Sequence, residues 1–137
     1  MNIPVIDKSN YLKGLLITAR KDKQLTEPEK KILKSIAEKL GFANDFYEET
    51  INNLLANKYI LEEPIEFSDK KIAESFVMDG LRLVFSDNLV GTGEIEWLRN
   101  TAIINRLSEK WFDESVLLCK ANSGNLFVTD FALMSII

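Results

Sequence analysis

The stretch Ile72-Ala73-Glu74-Ser75-Phe76-Val77-Met78-Asp79-Gly80-Leu81-Arg82-Leu83-Val84-Phe85 decides the fold, together with the residues just beyond it: Ser86-Asp87-Asn88-Leu89-Val90-Gly91-Thr92-Gly93, then Glu94-Ile95-Glu96-Trp97. Ala73, Phe76, Val77, Gly80, Leu81 and Val84 recur at spacings of three and four, so they form one apolar helical face. Ile72, Leu83 and Phe85 carry apolar character well around the helix. Such a helix is expected to be covered on most sides by other helices. Ser75, Asp79, Arg82 and Ser86 remain as a polar strip, which reads as solvated, with Asp79 paired to Arg82 three residues on. Gly80 falls in the middle of the buried face. Glycine in a helix interior costs about 1 kcal/mol relative to alanine, so a close helix–helix approach is expected there.

An earlier copy of this plan lies upstream. Asp7 or Ser9 can cap a first helix over roughly 9–22 that buries Leu12, Leu15, Leu16 and Ala19. Its other face is basic, with Lys13, Arg20 and Lys21. After Asp22-Lys23-Gln24-Leu25, the run Thr26-Glu27-Pro28-Glu29 reads as a capping box with proline in the first turn. The second helix buries Ile32, Leu33, Ile36, Ala37 and Leu40, and Gly41 stops it. Shifting this pair of helices by 65 residues lays Leu16 on Leu81, Ala19 on Val84, Asp22 on Asp87, Leu25 on Val90, Glu29 on Glu94, Leu33 on Leu98 and Ala37 on Ala102. That is internal self-similarity. Each copy is a helix, an aspartate at its end, six residues, and a glutamate in the first turn of the next helix.

The remaining segments also read as helices. Asn44 or Asp45 starts a third, with Tyr47, Ile51, Leu54 and Leu55 on its apolar face. An acidic connection around Pro64 leads to Ser68, a candidate cap for the central helix. A fifth helix over about 92–106 buries Ile95, Trp97, Leu98 and Ala102. Ser108 caps a sixth, with Trp111, Phe112, Val116 and Leu117 inward. No strand pattern survives. The expected fold is all-α, a single-domain bundle of six to seven helices built from two similar helical halves. Its parts are an N-terminal arm over 1–9, a helical domain over 10–121, and an apolar C-terminal segment over 122–137 packed on the domain or on a partner.

Composition narrows the chemistry. The chain has 137 residues and no histidine, so histidine-based triads, general bases and zinc sites are excluded. Cys119 is the single cysteine, which excludes an internal disulfide and a thiolate metal cluster within one chain. It reads as a small buried residue. Any metal is then an oxygen-bound calcium, magnesium or manganese ion. No signal peptide and no membrane span are expected, and a cytoplasmic location fits the cysteine usage. Net charge is −4. It is uneven: residues 8–39 hold nine Lys and Arg against four Asp and Glu, and residues 41–137 hold eight against sixteen.

The duplicated carboxylates have two readings. Glu29 and Glu94 suit the positive start of a helix. Asp22 and Asp87 face the negative end of the preceding helix dipole, a cost of several tenths of a kcal/mol. The amides of the following helix or a bound cation would offset it. The pattern is not an EF-hand, because Leu33 and Leu98 stand where its closing glutamate belongs.

The residues Leu16-Ile17-Thr18-Ala19-Arg20-Lys21-Asp22, Leu25-Thr26-Glu27-Pro28-Glu29 and Ile36-Ala37-Glu38-Lys39-Leu40-Gly41 resemble the TerB-like superfamily, which includes tellurite-resistance protein B and the N-terminal region of a membrane-anchored DnaJ-like co-chaperone. Phe85-Ser86-Asp87 through Glu94 to Leu98 resembles that family's second half. The family carries glycine after the aspartate, where Lys23 and Asn88 stand in this chain. The resemblance implies a bundle of about seven helices, an acidic metal-binding surface, and a non-enzymatic role in stress-response complexes near the membrane.

The leading expectation is therefore a non-enzymatic TerB-like interaction module with a protein partner, tuned by a divalent cation (Ca or Mg) at Asp22, Glu29, Asp87 and Glu94. The apolar tail is compatible with a homodimer. The alternative is phosphate or nucleic-acid binding through the basic face: Lys13, Arg20, Lys21, Lys23, Lys30, Lys31 and Lys34. Tyr11 is the one aromatic near that cluster, and the overall acidity weighs against nucleic acid.

Overall fold

Helix α4, Lys70–Val84, runs through the centre of the bundle and packs against α1 (Val5–Arg20), α5 (Thr92–Ile104), α6 (Glu109–Ala121) and a C-terminal 3-10 turn at Ala132–Ser135. Helices α2 (Glu27–Lys39) and α3 (Asn44–Ala56) pack together and against α1. The computed structural model describes residues 2–20, 27–56, 63–85, 92–121 and 132–136, with Arg20, Leu54, Leu55, Ala56, Thr92, Met134 and Ser135 described in backbone only. Among the described residues every regular element is helical. The fold is an all-α bundle.

The duplication extends further than two helices. All three helices of the second half start 65 residues after those of the first: Val5 to Lys70, Glu27 to Thr92, Asn44 to Glu109. The bonds at the ends repeat at the same interval. The Tyr47 amide donates to the Ala43 carbonyl, and the Phe112 amide to the Ser108 carbonyl. Gly41 and Phe42 close α2 on the Glu38 and Ala37 carbonyls; Arg106 and Leu107 close α5 on those of Ile103 and Ala102.

The core follows the apolar spacing. Leu12, Leu15, Leu16 and Ala19 are buried, as are Leu33, Ile36, Ala37 and Leu40, and every apolar residue of the α4 face. Tyr11, Phe67, Phe76 and Trp97 form a chain of ring contacts with centroids 5.0 to 6.2 Å apart. Gly80 is the expected close approach: a Cβ built there would stand 2.6 Å from Leu98 Cδ2 of α5. Gly14 is a second, with the Phe76 ring 2.5 Å from its notional Cβ.

Several expectations are corrected. Helix α1 begins at Val5, with the Pro4 carbonyl accepting from the Lys8 amide. Asp7 therefore lies in the first turn and does not cap it. Its buried carboxylate accepts from the Ser68 amide at 3.1 Å and from the Ser68 hydroxyl. With Ser68 so engaged, Asp69 caps α4 and accepts from the Lys71 amide at 2.7 Å. Leu117 faces outward, 67% exposed, because the inward side of α6 is carried by Phe112, Ser115 and Cys119. The largest correction is Asp79. Of the strip it belongs to, Ser75 and Asp79 are buried, at 4% and 0% exposure.

Candidate functional site

Three features of the described residues carry chemistry. The first is the duplicated glutamate. Glu29 opens α2 and Glu94 opens α5, and both are buried, at 2% and 1% exposure. A capping glutamate at a helix start is ordinarily half solvated, so burial in both halves exceeds what a capping box needs. Neither residue is without a partner. Asp22 and Asp87 lie outside the described residues. Among those described, no group of three or more Asp, Glu or Cys side chains is placed to hold a metal ion. Calcium takes six to eight oxygens. The described donors are one carboxylate per half, and they do not by themselves make that site.

The second feature is a buried polar node on α4. Tyr11 of α1 donates its hydroxyl to Asp79 Oδ2 at 2.5 Å and lies 2.8 Å from the Ser75 hydroxyl. The amides of Ala132 and Leu133 donate to Asp79 at 2.6 and 3.1 Å. Arg82 Nη1 stands 3.5 Å from Asp79 Oδ1. One carboxylate thus ties α1, α4 and the C-terminal 3-10 turn together. Burial pushes its pKa up to about 6, although Tyr11, both amides and Arg82 pull the other way. Spacing along α4 could not reveal this, because the partners lie far away in the chain. Cys119 is buried as expected, and burial raises its thiol pKa, which suits an inert packing residue.

The third feature is a groove between α2 and α3 of about 420 Å³. Lys30, Lys31 and Lys34 line one side, Tyr47 and Ile51 the floor, and Glu27, Glu48 and Asn52 the rim. Lys30 is engaged by Glu27 at 3.4 Å, and the Tyr47 hydroxyl donates to the Lys30 carbonyl at 3.2 Å. Burial, then Glu48, pushes the Tyr47 pKa up to about 12, so it stays a donor. Of the basic face, Lys13, Lys30, Lys31 and Lys34 are exposed. Lys21 and Lys23 lie outside the described residues, as does the side chain of Arg20.

The two halves differ most at their surfaces. Ile103, Ile104 and Leu117 are 47%, 45% and 67% exposed. Their counterparts 65 residues earlier are the exposed polar residues Glu38, Lys39 and Asn52. In the opposite sense, Val5 and Ile6 are exposed where the second half has Lys70 and Lys71.

No family model matches the chain, and neither the curated proteins nor the solved structures yield a match. No described helix is long and apolar enough to cross a membrane.

Proposed function

We propose that this chain is a non-enzymatic, TerB-like interaction module that acts in the cytoplasm in a stress-response complex. The observation that carries the reading is the exposed Ile103, Ile104 and Leu117. The first half builds the same helices with Glu38, Lys39 and Asn52 at those places, so the fold itself does not call for apolar residues there. Apolar surface that folding does not require is what a protein partner uses.

The test is to give the second half the first half's residues, Ile103→Glu with Ile104→Lys. The variant should keep its melting temperature and lose the partner that copurifies with the intact protein from its own cells. Unchanged copurification would remove this surface from the reading.

Divalent-cation tuning is a second part of the proposal, supported by the burial of Glu29 and Glu94 in equivalent places. Asp22 and Asp87 would complete the set. Melting in EDTA and then with calcium, magnesium or manganese tests it, with the Asp22→Ala/Asp87→Ala variant as control. A ligand at about one hundred times its dissociation constant adds roughly 2.7 kcal/mol. A shift of several degrees, absent in the variant, supports the site; no shift with any ion leaves these carboxylates as caps.

A further inference from the structure

The groove between α2 and α3 has an internal control, because in the second half an arginine bridges the equivalent pair of helices. There Arg99 lies across α5 and α6. Its guanidinium carbon is 4.8 Å from the Phe112 ring centroid and its Nη1 is 3.0 Å from Asp113 Oδ1. Its Nε also reaches Glu96 Oε2 at 4.0 Å. The equivalent residues of the first half are Lys34, Tyr47, Glu48 and Lys31. Three of these changes are conservative in kind and the fourth, Glu96 to Lys31, reverses a charge; the outcome is open space. Lysine lacks the planar fork that lies on a ring and grips a carboxylate at once. Among the described residues neither Lys31 nor Lys34 forms an ion pair, and the groove between them and Ile51 stays open.

We propose that this groove is the docking site for an acidic amphipathic peptide segment of a partner protein, an inference that rests on the interaction-module reading and names its second contact surface. The chemistry matches part by part. Lys31 and Lys34 stand one turn apart on α2 and suit two carboxylates one turn apart on a helical ligand. The floor of Tyr47 and Ile51, nearly buried at 6% and 9%, suits an apolar side chain between them. The far wall carries Glu48, with Asp45 and Glu49 exposed on the same helix. A nucleic-acid backbone, charged on every residue, would meet those acids. A peptide can place a neutral or basic residue opposite Glu48.

The probe is a fluorescently labelled synthetic helical peptide, with glutamates one turn apart flanking leucine and phenylalanine, titrated into the full chain by polarisation. A single-stranded oligonucleotide of similar length is titrated in parallel. Two variants are compared with the wild type, each first shown to melt as the wild type does. Lys31→Glu/Lys34→Glu reverses the cationic side. Lys34→Arg/Tyr47→Phe/Glu48→Asp leaves net charge unchanged and gives the groove the residues of the second half at Arg99, Phe112 and Asp113. Lys110→Glu, on α6, is the charge control.

The expected result is salt-sensitive peptide binding that both groove variants weaken at least about tenfold, which Lys110→Glu leaves alone. Equal binding by all forms would place the contact elsewhere. Oligonucleotide binding that depends on Lys31 and Lys34, without peptide binding, would overturn the peptide in favour of phosphate. No binding of either probe would overturn the groove. The module reading is separable: a partner from cells that is lost with Ile103→Glu/Ile104→Lys but kept by both groove variants leaves it standing while the groove falls.

Discussion

Gly41 and Arg106 hold the same left-handed backbone turn, one in each half, with φ of 89° and 64°. Each sits just past a helix end, and each turn is closed by the same two backbone bonds, to Glu38 and Ala37 in one half and to Ile103 and Ala102 in the other. This is the double bond pattern that glycine usually serves, because a Cβ is strained at positive φ. The second half keeps the turn although glycine is gone.

Arg106→Gly should therefore stabilise the protein. A side chain in the left-handed region costs roughly 1–2 kcal/mol, and glycine returns part of that as unfolded-state entropy. A net gain of about 0.5–1 kcal/mol is expected, visible as a melting temperature higher by roughly 2–4 °C. Gly41→Ala should move the other way by about 1 kcal/mol. Its notional Cβ meets nothing within 4 Å, so any loss reports backbone strain alone.

Gly14→Ala should destabilise despite alanine's better helix propensity, worth about 1 kcal/mol. The new methyl would stand 2.5 Å from Phe76 Cζ and 3.1 Å from Ile65 Cδ1. The Phe76 ring is fully buried among Tyr11, Phe67 and Trp97 and has nowhere to swing. Overpacking of this kind costs about 1–3 kcal/mol. Chemical denaturation of Gly14→Ala alone and with Phe76→Leu checks it: the second change should recover part of the loss, and two additive losses would show that the ring is not the obstacle.

Tyr11→Phe should cost about 1–3 kcal/mol, the usual penalty when a buried polar group loses its partner. Phe76 is the counterpart of Tyr11 at the same offset and fills its place without a hydroxyl, so shape alone is tolerated there. The loss would come from Asp79 and Ser75, which share that hydroxyl. Urea unfolding of Tyr11→Phe, Asp79→Asn and the double variant measures the coupling. Additive losses would mean that the hydroxyl and the carboxylate do not act together.

The helices and the halves were legible because they are local facts. Apolar residues three and four apart name a face, and Thr26-Glu27-Pro28-Glu29 names a helix start. The third pair was written there as well: Tyr47 falls on Phe112, Glu49 on Glu114 and Ala56 on Ala121 at the same offset. What was not legible is who covers a face. Asp79 looks like surface when only Arg82 is considered, since spacing on one helix is silent about Tyr11 and the Ala132 amide. Asp7 and Ser68 each look like caps until their contact removes both from that role. The open groove was hidden for a related reason. It depends on whether one long cation bridges two helices, and lysine and arginine read alike in a charge count.

Asp79 should give the protein an unusual acid response. Its pKa is raised by burial from the ordinary carboxylate value of 3.8 to about 6. Between those values the folded state holds a proton that the unfolded chain has released. Stability from this group therefore falls as pH rises from about 4 to about 6, and is flat above and below. The window spans about two pKa units, so the contribution changes by up to about 3 kcal/mol. Paired carboxylates usually act in the opposite sense, losing stability as pH falls, so the whole protein need not follow Asp79. The difference between wild type and Asp79→Asn isolates it, because asparagine carries no charge at any pH in the range. Urea unfolding of both forms from about pH 4 to pH 7 should show the wild type gaining on the variant toward acid. A difference independent of pH would mean that the carboxylate titrates at its ordinary value, held down by Tyr11, Arg82 and the two amides against its burial.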